Sequence, residues 1–374
     1  MRFLLQKCLI YIKRFSMDKV FHDDSRVIAW LRFPLAAMVV YLHSLNVEFT
    51  PIDILNDIRS ASYDILFYDT IRILISRVLG HVVVPTFMFI SGYLFFVKLD
   101  KWKWDIYLRK IRSRIHTLII PYFLWIIIPV FINIVWLHKP LLISNYLFSI
   151  WEIGLWHILT DPLNSVLWFL RDLIVLVFLS PVIYILLNKI KYILFIALFV
   201  LGLIFENTLI HTGFWFSLGG LFSMFSLSIS NFSKRVKNIA LWGFMFFGLL
   251  KLILYNDNVS DCILMFLNNF ISQSCILFGV FLCFYFSTTK KCKNVQFPIW
   301  ISSGSFLVYV LHMEVLWRVR WLMNLFAGNI YTSPAWIFFV YIIAPIVTLC
   351  ILVILNFLLR KFFPKINYIL TASR

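Results

Sequence analysis

The chain has 374 residues, 62% of them hydrophobic and only 14% charged, with 40 phenylalanines and a formal net charge of +17. A soluble domain of this length has no core large enough to bury so much apolar surface, which excludes a water-soluble fold and leaves the bilayer as solvent. The positive charge falls in short segments between apolar runs, without an aromatic-and-basic RNA-binding signature, so it points to membrane lipids and not to nucleic acid as the partner.

Residues 1–26 read as a basic, amphipathic cytoplasmic segment. Phe3, Leu4, Leu5, Leu9, Ile10 and Ile12 mix with Arg2, Lys7, Lys13 and Arg14, the pattern of an interfacial helix over 1–20. No compact apolar run with a small-residue cleavage site precedes Val27, so the first apolar stretch is expected to be an uncleaved anchor. Stretches of bilayer length follow at roughly 27–47, 79–97, 118–137, 167–187, 192–208, 212–229, 238–255, 262–286, 304–325 and 335–359. They predict an all-α polytopic membrane bundle of about ten transmembrane helices over 27–360, with a cytoplasmic tail at 361–374.

Charge alternates between the connecting segments. One side holds Lys7, Lys13, Arg14, Lys19 and Arg26, then Lys98 through Arg114, Lys189 and Lys191. Lys234, Arg235 and Lys237 follow, then Lys290, Lys291 and Lys293, and finally Arg360, Lys361 and Lys365. The other side holds Glu48, Asp53, Asp57, Asp64, Asp69, Glu152, Asp161, Glu206, Asp257 and Asp261, with few bases. Basic loops stay inside, so both termini are expected in the cytoplasm. The outward segments 48–78 and 138–166 are the only long loops, and their apolar patches suggest surface packing or a lid.

Ionisable groups inside a span are costly, so each is a site candidate. Arg32 and His43 are eleven residues apart, which returns them to nearly the same helix face at a separation of roughly 16 Å. Pro34 between them frees a backbone carbonyl. A guanidinium and an imidazole on one face suit anion binding and proton transfer. Span two carries Ser91, Gly92 and Tyr93, a small-residue point where backbones can approach. Span four opens on Trp168, with Arg171 and Asp172 as a local pair or a lid contact. Span nine carries Tyr309, His312 and Glu314, and His312 shares a face with Tyr309. Arg109, Arg112 and Arg114 crowd one entrance more densely than topology needs, and clustered guanidiniums hold phosphates bidentately. The six cysteines form no C-x-x-C pair, and no acid-and-histidine cluster has ligand spacing, so no metal is expected.

Five stretches, in order, resemble the acyltransferase family 3 membrane proteins, bacterial enzymes that acylate sugars and other hydroxyl-bearing acceptors. They are Arg32 with His43 eleven residues on; Phe87 through Ser91-Gly92-Tyr93; Arg112 and Arg114 leading to Pro121, Tyr122 and Trp125; Leu167-Trp168-Phe169-Leu170-Arg171-Asp172-Leu173; and Ser305-Phe306 through Tyr309 to His312. The resemblance implies acyl-CoA as a co-substrate on the cytoplasmic side, no permanently bound cofactor, and a glycan or lipid-linked sugar acceptor on the outer side of a bacterial inner membrane. It implies His43 as the central catalytic residue and Arg32 as its partner on the donor path. The family's paired arginines fall on Arg109 and Arg112 or on Arg112 and Arg114.

The reaction expected is transfer of an acyl group, acetyl by preference, to a hydroxyl. His43 would serve as general base or be transiently acylated, and the spacing does not separate the two. Charge developing on the thioester oxygen needs donors, and Ser91, Tyr93, Tyr309 and His312 are the candidates. The rival class is a transporter or flippase for a glycan or lipid, but the chain has neither repeat symmetry nor paired broken helices.

Overall fold

The computed structural model describes residues 2–45, 63–97, 103–135, 165–205, 207–254, 262–289, 297–330 and 333–371. Among them the regular elements are all helical, and each of the predicted apolar stretches falls on a helix. Among the described residues, six helices are long and apolar enough to cross a bilayer: Asp23–Ser44, Phe67–Phe96, Trp104–Ile128, Lys234–Leu254, Cys262–Ser287 and Pro334–Phe362. Trp168–Phe178 and Ser180–Lys189 meet at a bend of 64° and are long and apolar enough only when taken together, the pattern of a broken span or a re-entrant loop. Pro181 sits in the first turn of the second piece, and the Ser180 hydroxyl donates to the Val177 carbonyl at 2.7 Å.

The remaining stretches depart from a plain span for separate reasons. Lys191–Ile204 has 14 residues and Thr208–Met224 has 17, both short of a full crossing. Ser305–Ala327 has 23 residues but carries Glu314, Arg318 and Arg320. Two spans also begin earlier than their apolar runs. The second starts at Phe67 and takes in Asp69, Arg72 and Arg77; the third starts at Trp104 and takes in the basic stretch. The first helix runs unbroken over Arg2–Ser44, so the amphipathic segment continues the first span. Of the expected loop at 48–78, residues 63–78 are helical, whereas 48–62 and 138–164, with the lid expected there, lie outside the described residues.

The tightest contact joins Val83–Phe96 to Thr208–Met224. A Cβ on Gly92 would lie 2.0 Å from the Phe216 carbonyl oxygen, and one on Gly219 would lie 1.9 Å from that of Phe89. The two backbones therefore touch through reciprocal glycines, the close approach that small residues permit in lipid. Phe89, Phe96, Phe216 and Phe284 are fully buried around this crossing.

Hydrogen bonds pin both ends of the bundle. At the end carrying the basic segments, buried Asp24 accepts from Tyr93 Oη at 2.5 Å, Ser228 Oγ at 2.9 Å and the Ser230 amide at 2.9 Å. At the other end, Ser44 Oγ donates to the Tyr341 carbonyl at 3.2 Å and Ser76 Oγ to the Tyr41 carbonyl at 2.7 Å. These contacts fix the register of the first helix, and with it the depth of Arg32 and His43.

Candidate active site

A cavity of about 290 Å³ lies between the first helix, Val83–Phe96, Trp168–Phe178 and Ser305–Ala327. Arg32 and His43 both line it, as their shared helix face requires. Arg114 joins them from the third span, and the helical run changes to a π-helix at Ile115–Ile119 immediately after it. Such a turn shifts the register of every side chain beyond it and recurs at functional sites. The walls are otherwise mostly apolar, with Phe87, Phe95, Leu118, Trp168 and Phe169 prominent. The cavity therefore combines guanidiniums, an apolar sleeve and imidazoles.

The imidazoles are two. The rings of His43 and His312 lie 5.1 Å apart between centroids, tilted by 41°. His312 is fully buried. Its Nδ1 is 2.7 Å from the Tyr309 carbonyl oxygen and 3.1 Å from that of Val308, while its Nε2 has no hydrogen-bond partner among the described residues. Tyr309 lines the cavity, but its hydroxyl donates to the Val166 carbonyl at 2.5 Å. Tyr93 gives its hydroxyl to Asp24 and does not line the cavity. Of the hydroxyls considered as donors to a developing oxyanion, Ser91 is the one that lines the cavity and is not spent on one of these bonds.

The other predicted site residues are placed elsewhere. Arg171 pairs with buried Asp172 at 2.8 Å and reaches Thr208 Oγ1 at 3.2 Å, while Thr212 Oγ1 donates to Asp172 at 3.3 Å. That group ties Trp168–Phe178 to Thr208–Met224 behind the cavity wall. Glu314 pairs with Arg318 at 2.7 Å on the outside of its helix. Arg109 and Arg112 are exposed on Trp104–Arg114. Lys110, next to them, ties this basic helix to the end of Val83–Phe96 through the carbonyls of Phe95 and Val97.

Sequence reasoning missed two groups. Ser302 and Ser303 line the cavity from the turn before Ser305–Ala327, and Ser303 Oγ is held by Asn356 Nδ2 at 3.2 Å and Arg360 at 2.5 Å. The Ser302-Ser303-Gly304-Ser305 run was the available signal. Lys251 is 1% exposed, and its Nζ is 3.1 Å from His81 Nδ1. Both lie inside apolar spans, where any ionisable residue is a flag.

A family model described as an acyltransferase domain matches residues 26–355, most of the chain. No curated protein and no solved structure matches it. The matched region contains every residue that lines the cavity. The chain belongs to acyltransferase family 3 and is a multi-pass membrane acyltransferase.

Proposed function

We propose that the protein moves an acyl group, acetyl by preference, from acyl-CoA on the cytoplasmic side to a hydroxyl of a cell-surface glycan or glycolipid. The observation that carries this reading is the single cavity in which Arg32 and Arg114 share an apolar sleeve with the His43–His312 pair. Guanidiniums suit the phosphates of coenzyme A, by bidentate hydrogen bonds. An apolar sleeve suits the thioester arm and excludes competing water. Arg109 and Arg112, exposed on the same basic helix as Arg114, would attract the donor to that entrance.

His43 meets the acyl group, either as base on the incoming hydroxyl or as its transient carrier. The protein would sit in a bacterial inner membrane with both termini cytoplasmic, following the placement of the basic segments. Membrane lipids and the acceptor glycan are its partners in this reading. Membership of an acyltransferase family weighs against a transporter.

Vesicles reconstituted with purified protein, given radiolabelled acetyl-CoA on one side at a time, test the donor. Label should be released or transferred only when acetyl-CoA is on the side of the termini. Consumption from neither side, with acetyl or longer acyl donors, would end the donor assignment.

A further inference from the structure

We infer that His312 is a catalytic residue for the transfer, the base that takes the proton of the acceptor hydroxyl, which leaves His43 to the acyl side. The inference rests on the proposed function above and assigns a role that reading leaves open. Its basis is the hydrogen bonding of one ring. Nδ1 of His312 faces two oxygens, the carbonyls of Tyr309 at 2.7 Å and Val308 at 3.1 Å. Carbonyl oxygens only accept, so the proton of the neutral ring is on Nδ1. The lone pair is therefore on Nε2, and both bonds run to the turn preceding His312 in its own helix, which fixes the ring's orientation.

Nε2 is buried, has no hydrogen-bond partner among the described residues, and belongs to a ring that lines the cavity beside His43. A buried acceptor left unsatisfied is costly, because it has lost its water and gained no donor. A hydroxyl entering the cavity supplies the missing donor and places its oxygen next to the residue that meets the acyl group. A base must reach the proton it removes and hold the correct tautomer, and His312 has its tautomer set by the backbone before substrate arrives.

The step balances within the site. The acceptor O–H bond breaks and its proton passes to Nε2 of His312. The acceptor oxygen bonds to the acyl carbon. The bond from that carbon to its carrier breaks, the carrier being the sulfur of coenzyme A or, after acylation, a ring nitrogen of His43. The departing atom takes the proton from Nε2 and restores the ring.

The test uses the full chain in detergent with His312→Gln and His312→Asn, each compared per folded molecule by size-exclusion profile. Water and a methyl glycoside serve as hydroxyl acceptors, because both need a base. Hydroxylamine serves as an acceptor that attacks without one. Loss of a base predicts a fall of about 10²–10⁴ with the hydroxyl acceptors. The rate with hydroxylamine should stay within about tenfold of wild type, and KM for acetyl-CoA should be unchanged. Equal falls for both kinds of acceptor would mean that His312 only shapes the pocket, and a fall under about tenfold with water and glycoside would also overturn the assignment. Wild-type protein inactive with every acceptor would instead refute the donor reading.

A second measurement needs no variant. ¹⁵N shifts of the histidine rings in wild-type protein must include a ring with Nδ1 protonated and Nε2 bare. If the neutral rings all carry the proton on Nε2, the inference fails.

Discussion

Arg112 and Arg114 are two residues apart in one basic helix, yet only Arg114 lines the cavity, while Arg112 is exposed. On a helix that spacing turns the side chains to nearly opposite faces. Arg114→Ala is therefore expected to weaken acyl-CoA binding by about 1–3 kcal/mol, the usual loss for a charged hydrogen bond in a partly buried site. Arg112→Ala, losing an exposed charge, should cost under about 1 kcal/mol and be abolished by salt. Titration calorimetry with the two variants measures both; equal losses would show that the entrance acts only as a diffuse positive field. The same contrast marks what was legible at this scale. Spacing within one helix put Arg32 with His43 and Tyr309 with His312, because the helical period is known beforehand. It could not show that Tyr93 is spent on Asp24, 69 residues away, or Tyr309 on Val166, 143 residues away. Those pairings come from how helices pack, and a single sequence carries no such term.

The helices themselves were legible because lipid forces every backbone hydrogen bond inside the element, so apolar length maps onto helix. Their ends were not, since Arg72, Arg77 and the Trp104–Arg114 stretch look like loop by charge but continue the helices beyond the apolar run. The Ser91-Gly92 signal locates a close approach, though nothing in the sequence singles out its partner Gly219. That crossing gives the clearest prediction about an element. Gly219→Ala would put a methyl 1.9 Å from the Phe89 carbonyl oxygen, a backbone atom that cannot rotate away. Overpacking of this kind costs about 1–3 kcal/mol, and here it also separates the helix that carries Ser91 from its support. Thermal unfolding in detergent should fall clearly for Gly219→Ala. Gly213→Ala is the control: its Cβ would meet only Leu176 at 3.6 Å, and its melting point should be nearly unchanged.

For the whole molecule, charge alternation predicts that the segments around Asn56 and Asn145 face outward while the segment near Lys101 faces the cytoplasm. In a background without native cysteines, Asn56→Cys and Asn145→Cys should react with an impermeant thiol reagent added to intact cells, and Lys101→Cys should be protected. The reverse pattern would invert the membrane orientation and put the donor on the wrong side. Orientation sets which substrate reaches which end of the cavity, but the chemistry depends on what lies at its centre. The central claim is that His43 does that chemistry and does not merely pack a helix. Turnover of acetyl-CoA by His43→Ala, measured per folded molecule alongside acetyl-CoA binding, tests it most directly. The account predicts a loss of about 10²–10⁴ or more in turnover with insertion and donor binding retained. A variant that turns over within a few fold of wild type, or loses rate only as far as it loses folded protein, would contradict it.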